Sequence, residues 1–201
     1  MLITEHFVML NYPKTGSSFA REIIKYAYHR NATILQRSLK KLRLFKDPVT
    51  EHYVVNPQVN IPDQHGKLAD IPDQHRHKQV VSIVRCPFDR YLSQYTYRWW
   101  VKHPPASLDL ITQCYPHFPA LTFDEFYEVN WRWMLPKRLA QFELPDIEVG
   151  TQTLQFIEFF FANPPEAAKR ILLDREPAYL AQLKAIVFLH QEHLNTELMA
   201  F

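Results

Sequence analysis

The run Phe7-Val8-Met9-Leu10-Asn11-Tyr12-Pro13-Lys14-Thr15-Gly16-Ser17-Ser18-Phe19-Ala20 decides the reading of this chain. His6 to Tyr12 is short and apolar, as a buried strand is. It breaks at Pro13-Lys14-Thr15-Gly16-Ser17-Ser18, where proline, glycine and hydroxyl residues favour a turn. Beyond it, Phe19, Ile23 and Ala27 recur at helical spacing with Ile24 beside them, which predicts a helix. Strand, loop and helix in that order open a βα unit.

The pattern repeats downstream. Gln79-Val80-Val81-Ser82-Ile83-Val84 is β-branched and continuous, which suits a strand buried on both faces. It runs into Arg85-Cys86-Pro87, with proline placed for the first turn of a helix. That helix carries Phe88, Tyr91, Leu92, Tyr95 and Trp99 on one predicted stripe. Between the two βα units, Ile34 to Phe45 is basic and does not distinguish helix from strand. His52 to Asn56 is a candidate short strand, and residues 57–77 read as loop. Further on, Thr122-x-x-Glu125 has the form of a capping box. Leu154, Ile157, Phe160 and Phe161 make an apolar helix face that Pro164-Pro165 ends, and Glu166 to Leu173 resumes a helix. Ala185 to Leu189 is a candidate late strand. Alternating strands and helices predict an α/β fold: three layers, a central, mainly parallel sheet flanked by helices. At 201 residues the expectation is one domain over residues 1–201.

Composition bounds the partners. Apolar residues at 47% and charged residues at 22% belong to a globular protein. The net charge of +2 is too small to point to nucleic acid or a membrane surface, so neither is an expected partner. No basic stretch followed by an apolar one opens the chain, and no apolar run reaches the roughly 20 residues of a membrane span. Cys86 and Cys114 are expected to be reduced thiols, and no spacing of His, Cys or acidic residues suggests a metal site. Together these predict a cytoplasmic protein.

A strand that ends in a Gly/Ser/Thr loop opening a helix suits an anion. Backbone N–H groups and the helix dipole point at the bound charge. Lys14 adds a cation, Thr15, Ser17 and Ser18 add hydroxyls, and Gly16 lets a ligand approach the backbone. The spacing is not G-x-x-x-x-G-K-[ST], because Lys14 precedes the only nearby glycine. Without a ligand, the same residues are a capped turn at Lys14 and a structural strand–helix junction at Arg85.

Pro13-Lys14-Thr15-Gly16-Ser17-Ser18-Phe19 resembles the 5′-phosphosulfate loop of sulfotransferases that use 3′-phosphoadenosine 5′-phosphosulfate (PAPS). The family's second motif is an arginine at a strand end and a serine eight residues on, and Arg85 and Ser93 stand at that spacing here. The resemblance implies the P-loop-NTPase-like sulfotransferase fold, with Pro13 to Phe19, Arg85 and Ser93 binding PAPS. The activity implied is sulfonate transfer to an acceptor hydroxyl, with 3′-phosphoadenosine 5′-phosphate (PAP) as product and no metal. His65, followed by Gly66, is placed like the catalytic base of the carbohydrate 2-O-sulfotransferase branch, and Lys14 would stabilise charge at the reacting group. His75 and His77 are rivals for the base. The His65 placement favours a carbohydrate or polyol acceptor, with a small natural product or lipid head group open. Trp99-Trp100 and Trp131-x-Trp133 are candidate sugar platforms that also suit a core. Residues 150–156 and 189–195 resemble later segments of bacterial members. The Arg-Lys-Gly segment of the cytosolic small-molecule enzymes is absent, and the sequence stops at Phe201 soon after the last recognisable segment. Both departures weigh against activity more than against nucleotide binding. The rival classes are a small-molecule kinase with a related phosphate loop and an inactive PAPS- or PAP-binding protein.

Overall fold

A computed structural model describes residues 1–30, 47–56 and 61–201. The segment from Ile34 to Phe45 lies outside the described residues, as do residues 57–60 of the expected loop. The described chain divides into two compact units, Met1–Arg85 with Gln182–Phe201, and Cys86–Ala181.

The first unit is built on a five-stranded sheet. Its strands are β1 (Leu2–Thr4), β2 (Phe7–Leu10), β3 (Val49–Glu51), β6 (Gln79–Val84) and β7 (Ile186–His190), ordered β3-β1-β2-β6-β7. The β2, β6 and β7 pairings are parallel, with Leu10 opposite Ser82 and Val84 opposite His190. The sheet is mixed rather than mainly parallel, because β1 runs antiparallel to both of its neighbours. The turn between β1 and β2 is Glu5-His6 alone, too short for anything but a hairpin. Thr4 closes it: its Oγ1 donates to the Phe7 carbonyl at 3.0 Å and accepts from the Phe7 N–H at 2.9 Å. β4 (Val54–Asn56) and β5 (Ile61–Asp63) form a separate hairpin. The expected strand at His52 thus starts later, and the expected loop over 57–77 holds a strand and single 3-10 turns at Leu68–Asp70 and Asp73–His75.

Helices α1 (Ser17–Arg30) and α8 (Leu194–Ala200) pack on this sheet. Phe7, Met9, Val81, Ile83 and Leu189 meet Ala20 and Ile24 of α1 and Leu194 of α8. Every second residue of each strand joins that contact, as the pleat requires. Of the apolar residues expected on α1, Ile24 is buried, together with Ala20 and the partly buried Tyr28, whereas Phe19, Ile23 and Ala27 are exposed. Phe19 and Ile23 are 52% and 43% exposed. Small Ala20 lets the helix lie close to the sheet, which helical period alone does not reveal.

The second unit is helical. Its elements are α2 (Pro87–Tyr97), α3 (Leu108–Cys114), α4 (Phe123–Val129), α5 (Leu135–Gln141), α6 (Thr151–Phe160) and α7 (Pro164–Ala168). Trp100, Ile111, Tyr115, Leu121, Phe126 and Val129 form an aromatic-rich core. Trp100 is fully buried, and its indole N–H donates to the Pro119 carbonyl at 3.1 Å. Tyr91 and Tyr95 of α2 pack against this core, whereas Phe88 and Leu92 of the predicted stripe are exposed. The Thr122–Glu125 capping box is present at α4. Leu154, Ile157, Phe160 and Phe161 are all buried, as the α6 face predicts. Pro164 opens α7 rather than merely ending α6, since an N-terminal turn does not need its missing N–H. No helix among the described residues is long and apolar enough to cross a membrane.

Candidate functional site

Parallel strands β2, β6 and β7 bring their carboxyl ends to one edge of the first unit's sheet. Such an edge is where open α/β sheets bind ligands. The segment Pro13–Gly16 follows β2, Arg85 follows β6, and His190 ends β7.

The loop after β2 is shaped by two left-handed residues, Lys14 at φ 65° and Gly16 at φ 84°. Gly16 is needed for conformation and for space. A Cβ there would lie 3.2 Å from Gln191 Cγ and 3.4 Å from Leu194 Cδ2. The glycine therefore answers a close approach by the β7–α8 junction as well as any approach by a ligand. Thr15 and Ser17 are buried, and both hydroxyls donate to the Tyr12 carbonyl, at 2.7 and 3.0 Å. With these bonds the two hydroxyls close the turn. Ser18 is exposed in the first turn of α1, where N–H groups lack intrahelical acceptors. Pro13 is half-buried and Phe19 exposed.

Lys14 and Arg85 share this edge. Burial lowers the Lys14 ammonium from its usual value, and the nearby Arg85 guanidinium lowers it further. The Arg85 Nε is buried with no hydrogen-bond partner among the described residues. Two cations held together, one with a buried unsatisfied donor, make a cradle that a multivalent anion fits.

His65 joins the same edge. Its Nδ1 lies 2.7 Å from the Asn11 carbonyl, directly after β2. A carbonyl can only accept, so Nδ1 carries the hydrogen, and in the neutral imidazole Nε2 is the nitrogen with the lone pair. The Asp63 carboxylate accepts the His65 backbone N–H at 2.9 Å, and the Asn11 side-chain amide donates to the Gln64 carbonyl at 3.2 Å. Arg21 of α1 grips the Gln64 side chain. Asn11, Gln64 and Arg21 fix the backbone around His65, a link that sequence reading missed because it spans 53 positions between Asn11 and Gln64. Gly66 packs against Met1 rather than adding freedom beside His65: a Cβ there would collide with Met1 Cε. His75 and His77 precede β6, at the opposite end of the parallel strands from Lys14.

Ser93 belongs to the second unit, half-buried on α2, and its carbonyl accepts from Thr96 Oγ1 at 3.2 Å. In that unit the segment after Gly150 has structural work. Gln152 and Gln155 hold the buried guanidinium of Arg90, and Thr151 Oγ1 meets the Tyr91 hydroxyl at 2.7 Å. Among the described residues, no group of three or more His, Cys, Asp or Glu side chains is placed to hold a metal ion. No protein-family model, no curated protein and no solved structure matches the chain.

Proposed function

We propose that the protein binds PAPS and transfers its sulfonate to a hydroxyl of an acceptor, a carbohydrate or polyol. The observation that carries the reading is the shared position of Lys14 and Arg85. They follow neighbouring parallel strands, near enough for one charge to depress the other's protonation, and Arg85 keeps a buried donor unpaired. Like charges held together are costly unless an anion offsets them. The three-layer sulfotransferase fold and a cytoplasmic location belong to the same proposal. The parallel β2-β6-β7 arrangement supports the former, and Cys86 and Cys114, which form no disulfide, the latter.

Each residue then has a task. Arg85 holds the ribose 3′-phosphate, and its planar fork suits that group. Lys14 and the N–H groups at the start of α1 hold the sulfonated end. The donor supplies an activated sulfonate whose bond to the 5′-phosphate oxygen can break. His65 accepts the acceptor hydroxyl's proton at Nε2 while that oxygen forms its bond to sulfur. Lys14 neutralises the electron pair left on the departing phosphate oxygen. Asn11 keeps His65 in the tautomer this requires, by accepting the Nδ1 hydrogen. No covalent bond to the protein forms; positioning and fixed charge lower the barrier.

Calorimetry with PAP tests both phosphate contacts without an acceptor. The expected result is saturable binding that Arg85→Gln weakens about tenfold or more, with ATP binding more weakly than PAP. Absence of PAP binding, or tighter binding of ATP, would refute the reading.

A further inference from the structure

The second unit contains cavities on either side of Trp131. One, of about 440 Å³, is walled by Tyr115, Tyr127, Glu128, Trp131 and Arg132. The other, of about 520 Å³, shares Trp131 and Arg132 and continues along aliphatic residues such as Leu135 and Leu139. Trp131 is the exception among the tryptophans near this core. Trp100 is buried, and Trp133 packs on the Tyr115 ring with centroids 6.0 Å apart, whereas Trp131 is 48% exposed.

Its position has a local cause. Between α4 and α5 the backbone makes a π-helical turn over Asn130–Met134. Pro136 has no N–H to give the Arg132 carbonyl and would crowd it in a regular helix, and the wider turn just ahead of it relieves that clash. Asn130 ties the turn down by donating its side-chain amide to the Phe126 carbonyl at 2.8 Å. Such turns frequently occur at functional sites.

The groups around Trp131 are disposed for a ligand with directional polarity. Glu128 and Arg132 stand four positions apart yet form no ion pair with each other. Glu128 Oε2 instead accepts the Tyr115 hydroxyl at 2.9 Å, and the Arg132 guanidinium lies 5.2 Å from the Trp133 ring centroid. Among the described residues, neither Glu128 Oε1 nor the Trp131 indole N–H has a hydrogen-bond partner. The cavity thus offers aromatic faces, one open carboxylate oxygen and one open N–H donor.

We propose that this cavity is a saccharide site, in which a neutral pyranose ring stacks on Trp131. The ring's axial C–H face meets the indole, one hydroxyl donates to Glu128 Oε1, and another oxygen accepts from the indole N–H. A wholly apolar ligand would leave both polar groups unsatisfied. An ammonium ligand would suit the rings and the carboxylate, but the Arg132 charge on the same wall opposes it. The volume is that of an ordinary small-ligand pocket. The proposal rests on the second unit alone and is independent of the nucleotide reading.

The test is saturation-transfer NMR and a titration of the full chain with methyl β-D-glucopyranoside, beside tetramethylammonium chloride. Transfer to the axial sugar protons is expected, with affinity reduced about tenfold or more in Trp131→Ala and about threefold or more in Glu128→Gln. Circular dichroism checks the fold of each variant, and Glu128→Gln carries the test should Trp131→Ala misfold. No transfer to the glucoside at about 50 mM overturns the proposal. So does unchanged affinity in whichever folded variant is compared, or tighter binding of tetramethylammonium. Because PAP is not used, the outcome is separate from that of the nucleotide test.

Discussion

Lys14 combines a left-handed backbone, partial burial and a neighbouring guanidinium. The lowered pKa implies that its charge, and with it anion binding, fades at a pH below that of an ordinary lysine. Lys14→Ala is expected to weaken PAP about tenfold and lower turnover about a hundredfold or more, since its charge acts most where negative charge develops. Steady-state kinetics beside calorimetry measure both; full turnover in the variant removes Lys14 from the chemistry. His65→Ala is expected to behave differently, with turnover reduced about a hundredfold or more and PAP affinity nearly unchanged. A large loss of PAP affinity would make His65 a structural residue. The loop chemistry was legible in the residue types, but the partition of its hydroxyls was not. Thr15 and Ser17 look like Ser18 in sequence, yet both spend their hydrogens on Tyr12.

At the scale of elements, local signals held where the physics is local. The Thr122–Glu125 box caps α4 because its partners lie within one turn of backbone. The Glu125 carboxyl accepts the Thr122 N–H and side-chain bonds from His117 and Thr122, which together lower it from 4.5 to about 2. A carboxylate with a depressed folded pKa contributes stability above its unfolded value, lost as pH falls through the folded one. The stability difference between the wild type and Glu125→Gln should therefore be full above pH 4.5 and vanish on approach to about pH 2. Urea denaturation across that range measures it, and a difference that does not change with pH would show that the carboxylate charge is not what stabilises the cap. Helix faces were less legible. On α1 the apolar set Phe19, Ile23, Ile24 and Ala27 includes the buried Ile24, but Ala20 rather than Phe19 or Ile23 joins it against the sheet. Period finds a face only where size and burial agree, and here a small residue was needed for close packing. The π-helical turn ahead of Pro136 depends on how a long helix accommodates a proline, which motif reading does not resolve.

For the molecule as a whole, a net charge of +2 leaves little long-range attraction for an anion, so any affinity must come from the local cradle. Ligand binding to the folded state should then raise its stability by about 2.7 kcal/mol at a hundredfold excess over Kd. A melting curve with PAP is expected to move upward with ligand concentration and to move less in Arg85→Gln; equal shifts in both proteins would place the nucleotide elsewhere. The strands β2 and β6, the helices that follow them, the cap at Thr122 and the candidate anion loop were readable along the chain, because each depends on residues within a few positions of one another. Three-dimensional packing alone set the pairing of β3 with β1, the pinning of His65 by Asn11, the meeting of Lys14 with Arg85, and the exposure of Trp131 where Trp100 is buried. These depend on residues far apart in the chain, and on which of two similar side chains reaches a neighbour first, and neither is written in local periodicity.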